Sequence, residues 1–133
     1  MLPKLSEIGE IVVLNTPVRR VKDAAAALGV GEDKIIKTIV VLCNGVYKAY
    51  IVRGSKKIDL AKLGCRLASP EEVLEATGYP VGGVPPVLPI PVFIDKELLR
   101  EEYVYGGGGD EYSLLKFKPL LLVQLGLATP LDL

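Results

Sequence analysis

The stretch Ile36-Lys37-Thr38-Ile39-Val40-Val41-Leu42-Cys43-Asn44-Gly45-Val46-Tyr47-Lys48-Ala49-Tyr50-Ile51-Val52 decides the fold. Ile36 to Leu42 is β-branched and mostly apolar, the composition of a buried strand. Asn44-Gly45 supplies two residues that tolerate positive φ, the strongest short hairpin signal in the chain. Val46 to Val52 then returns as a second strand, so the reading begins from an antiparallel pair. Lys37 interrupts the apolar run. It is either a lysine on an outward or edge position of the strand or a cation kept there for a purpose.

Working outward toward the N-terminus, Val21 to Leu28 carries Val21, Ala24, Ala25 and Leu28 on one helical face, and Gly29 closes it as the residue past the helix end. Ile11 to Leu14 reads as a short strand. In the other direction, Lys56 to Leu63 suggests a short amphipathic helix before a strand at Cys65–Ala68. Ser69-Pro70-Glu71-Glu72 is a capping box with proline at the first helical position, so a helix runs from Pro70 to about Thr77, where Gly78 ends it. Tyr79 to Pro89 holds too many prolines and glycines to be a helix or a central strand. Strands follow at Pro91–Ile94 and Glu102–Tyr105, with a helical start at Asp95–Arg100 between them. Gly106 to Asp110 reads as a turn into a strand at Glu111–Phe117, and Pro119 opens a final helix through Leu125. The expectation is an α+β fold: a single compact domain over residues 1–133, with a curved, mixed, largely antiparallel sheet flanked by short helices.

Composition agrees with one domain. The chain has 133 residues, half of them hydrophobic, enough for one sizeable core and too few for two. Sixteen basic residues balance sixteen acidic ones, which argues against a protein that coats a duplex and leaves room for one that touches a single end of an RNA. The apolar runs are far shorter than the roughly 18 residues of a membrane span. Met1 to Glu7 shows no basic region followed by an apolar one, so no signal peptide is read and a cytoplasmic location is expected. Cys43 and Cys65 sit in strand-like contexts and read as buried, inert thiols, with a disulfide between them as the alternative.

Absences prune the chemistry. The sequence has no histidine, so serine and cysteine triads and zincin helices are ruled out, and structural zinc is improbable. No phosphate-binding P-loop, dinucleotide fingerprint or G-x-S-x-G elbow is present. What remains is Lys37 and the segment Gly82-Gly83-Val84-Pro85-Pro86, where two glycines free the backbone and two prolines stiffen it. That segment is either a rigid connector or a loop whose bare N–H groups hold a carbonyl oxygen.

Four pieces then fall into a familiar order and spacing: Ile36–Val40, Leu67–Glu72, Thr77-Gly78-Tyr79-Pro80-Val81-Gly82-Gly83-Val84-Pro85-Pro86, and Val92–Asp95. Over roughly residues 16–125 the chain resembles the YbaK/ProX family of prolyl-tRNA editing deacylases, which includes free-standing domains and insertions in bacterial prolyl-tRNA synthetases. The resemblance implies hydrolysis of mischarged aminoacyl-tRNA carrying a small amino acid such as alanine or cysteine, without metal or cofactor. It implies that Lys37 and Thr38 lie at the site and that Gly82, Gly83 and Pro86 form the loop around the aminoacyl end. The catalytic assignment is then that the Gly82 and Gly83 N–H groups hold the oxyanion and Lys37 the ester region or terminal phosphate. Thr38, Tyr79, Val84, Pro86, Gly107, Gly108 and Asp110 would contact substrate. The partners implied are the tRNA acceptor end and, for some members, an aminoacyl-tRNA synthetase; no membrane is involved. Tyr105 stands where many cysteine-releasing members carry serine, and Asp110 falls earlier than their aspartate. The alternative function, from another class, is a non-catalytic module that binds a tRNA acceptor end or a synthetase.

Overall fold

In the computed structural model, which describes residues 1–133, the expected hairpin is present: β2 (Ile36–Cys43) pairs antiparallel with β3 (Val46–Arg53) through the Asn44-Gly45 turn, where both residues have positive φ. Side chains of β2 alternate between two apolar regions, Ile36 and Val40 in the main core and Val41 and Cys43 in a smaller cluster. That two-sided burial is why the strand reads as a near-continuous apolar run.

Two sheets form around this pair. The five-stranded sheet runs β4 (Cys65–Leu67), β2, β3, β5 (Val92–Asp95), β8 (Thr129–Leu131). Its β4–β2 and β2–β3 neighbours are antiparallel, whereas β3–β5 and β5–β8 are parallel. The three-stranded sheet is antiparallel throughout, in the order β1 (Gly9–Val13), β7 (Ser113–Phe117), β6 (Val104–Gly107). A single parallel bridge between Ile35 and Tyr105 joins them. The start of β2 and β6 therefore meet at a seam, and the candidate site lies there.

Helices close the outer faces. α2 (Val21–Leu28) packs Ala24 and Ala25 against Ile35, Tyr105 and Leu114. α3 (Pro70–Thr77) starts on its expected capping box, with Ser69 Oγ accepting from the Glu72 N–H and Glu72 Oε1 accepting from the Ser69 N–H. α4 (Pro119–Gln124) buries Pro119 and Leu122. The main core, with Ile51, Ile94, Leu98, Leu115 and Leu122 fully enclosed, is the principal stabiliser, since each such side chain contributes about 2 kcal/mol.

The structure departs from the sequence reading in several places. There are two sheets where one was expected. Gly106 and Gly107 belong to β6, and the turn begins only at Gly108. A Cβ on Gly106 would come within 2.7 Å of Ile36 Cδ1, the movable end of a side chain on the facing strand, so this glycine sits against β2 rather than in a turn. Cys43 and Cys65 form a disulfide, because the antiparallel register of β2 and β4 sets them directly opposite each other, 4.1 Å apart between Cα atoms. The inert-thiol reading is corrected accordingly. The helices expected at 56–63 and 95–100 shrink to 3-10 turns at Ala61–Leu63 and Lys96–Arg100. α1 (Leu5–Ile8) and β8 were not foreseen. No helix is long and apolar enough to cross a membrane.

Candidate functional site

The loop after α3 is laid across β6 at the seam, and glycines make the fit. A Cβ on Gly107 would lie 2.1 Å from the Val84 carbonyl oxygen, and one on Gly83 would lie 2.5 Å from the Asp110 backbone nitrogen. Neither contact admits a side chain. The Gly83 N–H donates to the Pro80 carbonyl and the Gly83 carbonyl accepts from the Gly109 N–H, so both polar groups of Gly83 serve the packing of the loop. Pro85 and Pro86 are fully buried beneath it.

Above this foundation the loop forms a ridge. Val81 is 62% exposed, Gly82 is exposed, and the Gly82 N–H has no partner within the protein. Three clefts meet at the ridge. One, of about 180 Å³, runs between the ridge and the start of α2, with Ala24, Ile36, Gly106 and Leu114 in its lining. A second, of about 210 Å³, lies toward Ala68 and Val73. The third, of about 790 Å³, lies between Pro80–Gly82 and Asp110–Tyr112. Lys37 and Thr38 line both of the smaller clefts.

The polar groups around the ridge are unevenly occupied. Lys37 is half-buried and makes neither a hydrogen bond nor an ion pair. Thr38 Oγ1 is buried with no hydrogen-bond partner, an arrangement that ordinarily costs about 1–3 kcal/mol. Arg20 hydrogen-bonds Asp23 through its guanidinium and thereby holds that carboxyl below its usual range. Arg19 reaches Glu111 at 3.7 Å, too long for a hydrogen bond, and lines both the smallest and the largest cleft. Three cations, Arg19, Arg20 and Lys37, thus border one small apolar-floored cleft.

The expected site residues separate into two groups. Lys37, Thr38, Gly82, Val84 and Gly107 line the smallest cleft together, and Asp110 lines the largest. Gly83, Tyr79, Pro86 and Gly108 do not line these clefts. The Gly83 N–H is spent on Pro80, so its expected part as an oxyanion donor does not fit this geometry. Pro86 is too deeply buried to touch a substrate. Gly108 gives its N–H to Ser113, and the Tyr79 ring packs 3.6 Å from the position a Cβ on Gly109 would take. The sequence reading missed Arg19 and Arg20. Their signal was present as an adjacent basic pair just ahead of a helix start, but nothing local says that this helix start faces the Lys37 strand.

No three Cys, Asp or Glu side chains converge anywhere to hold a metal ion. What the seam offers instead is a cation, a hydroxyl and a backbone donor around a cleft sized for a small group.

Comparison with known proteins places this geometry. The family model for the aminoacyl-tRNA editing domain matches residues 15–125. The proline–tRNA ligase of Solidesulfovibrio magneticus is 39% identical over 105 residues, which is 71% of this chain and 18% of the ligase. That of Shouchella clausii is 31% identical over 96% of this chain and 26% of the ligase. The chain thus spans about a fifth to a quarter of the length of these curated relatives. Among solved structures, the hypothetical protein APE2540 superposes with a TM-score of 0.86 at 44% identity, covering 93% of this chain and 89% of its own. A candidate trans-editing enzyme for prolyl-tRNA synthetase superposes at 0.82 with 34% identity, covering 93% and 85%. With its seam, its loop over β6 and its Lys-Thr strand inside the matched segment, the chain belongs to the aminoacyl-tRNA editing domain family.

Proposed function

We propose that the chain hydrolyses the ester of mischarged aminoacyl-tRNA, releasing a small amino acid, and does so without a metal ion. The observation that carries this reading is the convergence of three uncommitted polar groups on one cleft: Lys37 Nζ, Thr38 Oγ1 and the Gly82 N–H. Of the three, Thr38 Oγ1 is the buried one, and a buried hydroxyl without a partner asks for an explanation that a ligand in the cleft supplies.

An aminoacyl ester is already activated. Water attacks the carbonyl carbon, the ester bond to the ribose oxygen breaks, and the proton lost by water ends on that leaving oxygen. The protein needs only to position the ester and stabilise the oxyanion. The Gly82 N–H takes that oxygen. Lys37, unpaired and beside it, holds the ester region or the adjoining phosphate as a cation. The vicinal ribose hydroxyl of the substrate assists the water. The small cleft of about 180 Å³ admits a side chain of alanine or cysteine size, and a pocket of this kind separates neighbours differing by one methylene only about 10–200-fold. Such work belongs in the cytoplasm, beside the synthetases.

A non-catalytic reading retains one supporting observation: Gly83 contributes no donor, so the loop offers one N–H where two were expected. A deacylation assay with a panel of mischarged tRNAs separates the two, run with enzyme dialysed against EDTA. Turnover on at least one small-amino-acid ester, unchanged by EDTA, is the expected result. Affinity for tRNA without turnover establishes the binder, and loss with EDTA that Zn²⁺ restores overturns the metal-free mechanism.

A further inference from the structure

The largest of the three clefts has no part in the chemistry described so far. At about 790 Å³ it is more than four times the size of the cleft assigned to the aminoacyl group, and it lies in the range of pockets that hold cofactor-sized ligands. Its two walls are built differently. On one side stand Pro80, Val81 and Gly82, the outer slope of the ridge. On the other stand Asp110, Glu111 and Tyr112.

The second wall is fixed in backbone and open in side chains. The Tyr112 carbonyl accepts from the Leu14 N–H, the Glu111 carbonyl accepts from the Val18 N–H, and Asp110 Oδ1 accepts from the Tyr112 N–H. That places the turn firmly. The Tyr112 side chain nonetheless remains 43% exposed and its hydroxyl makes no hydrogen bond. An aromatic ring held at the mouth of a cleft by an anchored backbone is a platform on which a planar ring can stack, worth a substantial factor in affinity for an unpaired base. The carboxylates beside it repel phosphate and suit a neutral ligand rich in donors, such as the amino group of a base or the hydroxyls of a ribose. Arg19, loosely paired with Glu111 at 3.7 Å, is the one cation in this lining and the group that can take a phosphate there.

The two clefts share Arg19, Val81 and Gly82. A nucleoside ester whose acyl group occupies the small cleft must cross this ridge, and its sugar and base then descend into the large one. We infer that the cleft between Pro80–Gly82 and Asp110–Tyr112 receives the 3′-terminal nucleoside of the RNA, its base stacked on Tyr112 and its phosphate against Arg19. The inference rests on the proposed deacylation for its orientation but on the cleft itself for its existence.

The test uses two substrates, a charged minihelix with its normal terminal adenosine and one whose terminal ribose carries the ester but no base. Wild-type protein should show KM about tenfold higher for the baseless substrate, by the ordinary worth of one stacked base. Tyr112→Ala should show that same rise on the normal substrate and no further rise on the baseless one, and Tyr112→Phe should behave as wild type. Wild-type KM in Tyr112→Ala, or equal penalties for base removal in both proteins, overturns the inference while leaving deacylation standing. Should no charged substrate be hydrolysed at all, the deacylase reading fails separately, and NMR titration with the uncharged trinucleotide CCA decides the cleft. Amide shifts at residues 81–82 and 110–112 that vanish in Tyr112→Ala support it; their absence in the wild type refutes it.

Discussion

Two regions flank the start of β2, and they treat their polar groups in opposite ways. On one side, Arg53 sits between Glu97 at 2.7 Å and Glu101 at 2.6 Å, and Lys34 completes the set by reaching Glu101 at 2.9 Å. On the other, Lys37, Thr38 Oγ1 and the Gly82 N–H have no partners. The first region is charged and closed, and its charges hold the 3-10 turn after β5 against the hairpin. The second also carries charge, in Arg19, Arg20 and Lys37, but it is open. Charge is common to both regions and does not tell them apart; the unspent donors at a cleft do, and the proposed function rests on them.

The sharpest way to break that comparison is to remove a donor from the open side. Gly82→Pro deletes the free N–H and should cost about a hundredfold in single-turnover deacylation, the usual worth of one oxyanion donor, roughly 3 kcal/mol. Gly82→Ala keeps the N–H, and its Cβ would meet only Glu111 Cβ at 3.9 Å, so it should stay within about threefold of wild type. Equal losses in the two variants would show that the loop's shape matters and its donor does not.

Removing a partner from the closed side should do the converse. Arg53→Ala strips charge-assisted hydrogen bonds from two part-buried carboxylates and should lower stability by about 2 kcal/mol, leaving turnover per folded molecule unchanged. Acid probes the same network more gently. Glu101 is held down to about 2 by hydrogen bonds from Arg53 and then Lys34, against an ordinary value of 4.5. A carboxylate depressed on folding stabilises fully above its unfolded value, and that contribution is lost as pH falls through the folded one. Denaturant melts should therefore weaken between about pH 4.5 and 2, and Glu101→Gln should flatten this slope. An unaltered slope would remove Glu101 from the network's account.

The smallest expected effect has the more informative sign. Thr38→Val replaces an orphaned buried hydroxyl with a methyl of the same shape, which should raise stability by up to about 1 kcal/mol while weakening substrate binding. A loss of stability would mean that the hydroxyl is satisfied within the fold.

How far the sequence carried the reading depends on whether the signal was local. The hairpin was legible because Asn44-Gly45 and β-branched runs act within a few residues, and α3 was legible because Ser69 and Glu72 cap each other across one turn. Lys37 and Gly82 were legible as oddities, a cation in an apolar strand and a bare backbone between prolines. Their neighbours were not. Arg19 and Arg20 enter through the packing of α2 on the seam, the disulfide follows from a β4–β2 register that no local pattern encodes, and β8 pairs in parallel with a strand more than thirty residues earlier. Gly83 misled for the same reason. Its glycine looks like freedom in φ, yet it has no positive φ, and what excludes a side chain is the Asp110 backbone, which arrives from another part of the chain.

The most direct test of the central claim is Lys37→Ala, followed by single-turnover deacylation at saturating enzyme and by thermal melting of the same preparation. Lys37 has no partner to lose. The account predicts that melting stays within about 0.5 kcal/mol of wild type, as for a surface substitution, while the rate falls at least about a hundredfold. Wild-type turnover per folded molecule in a destabilised protein would contradict it, and would return Lys37 to the fold.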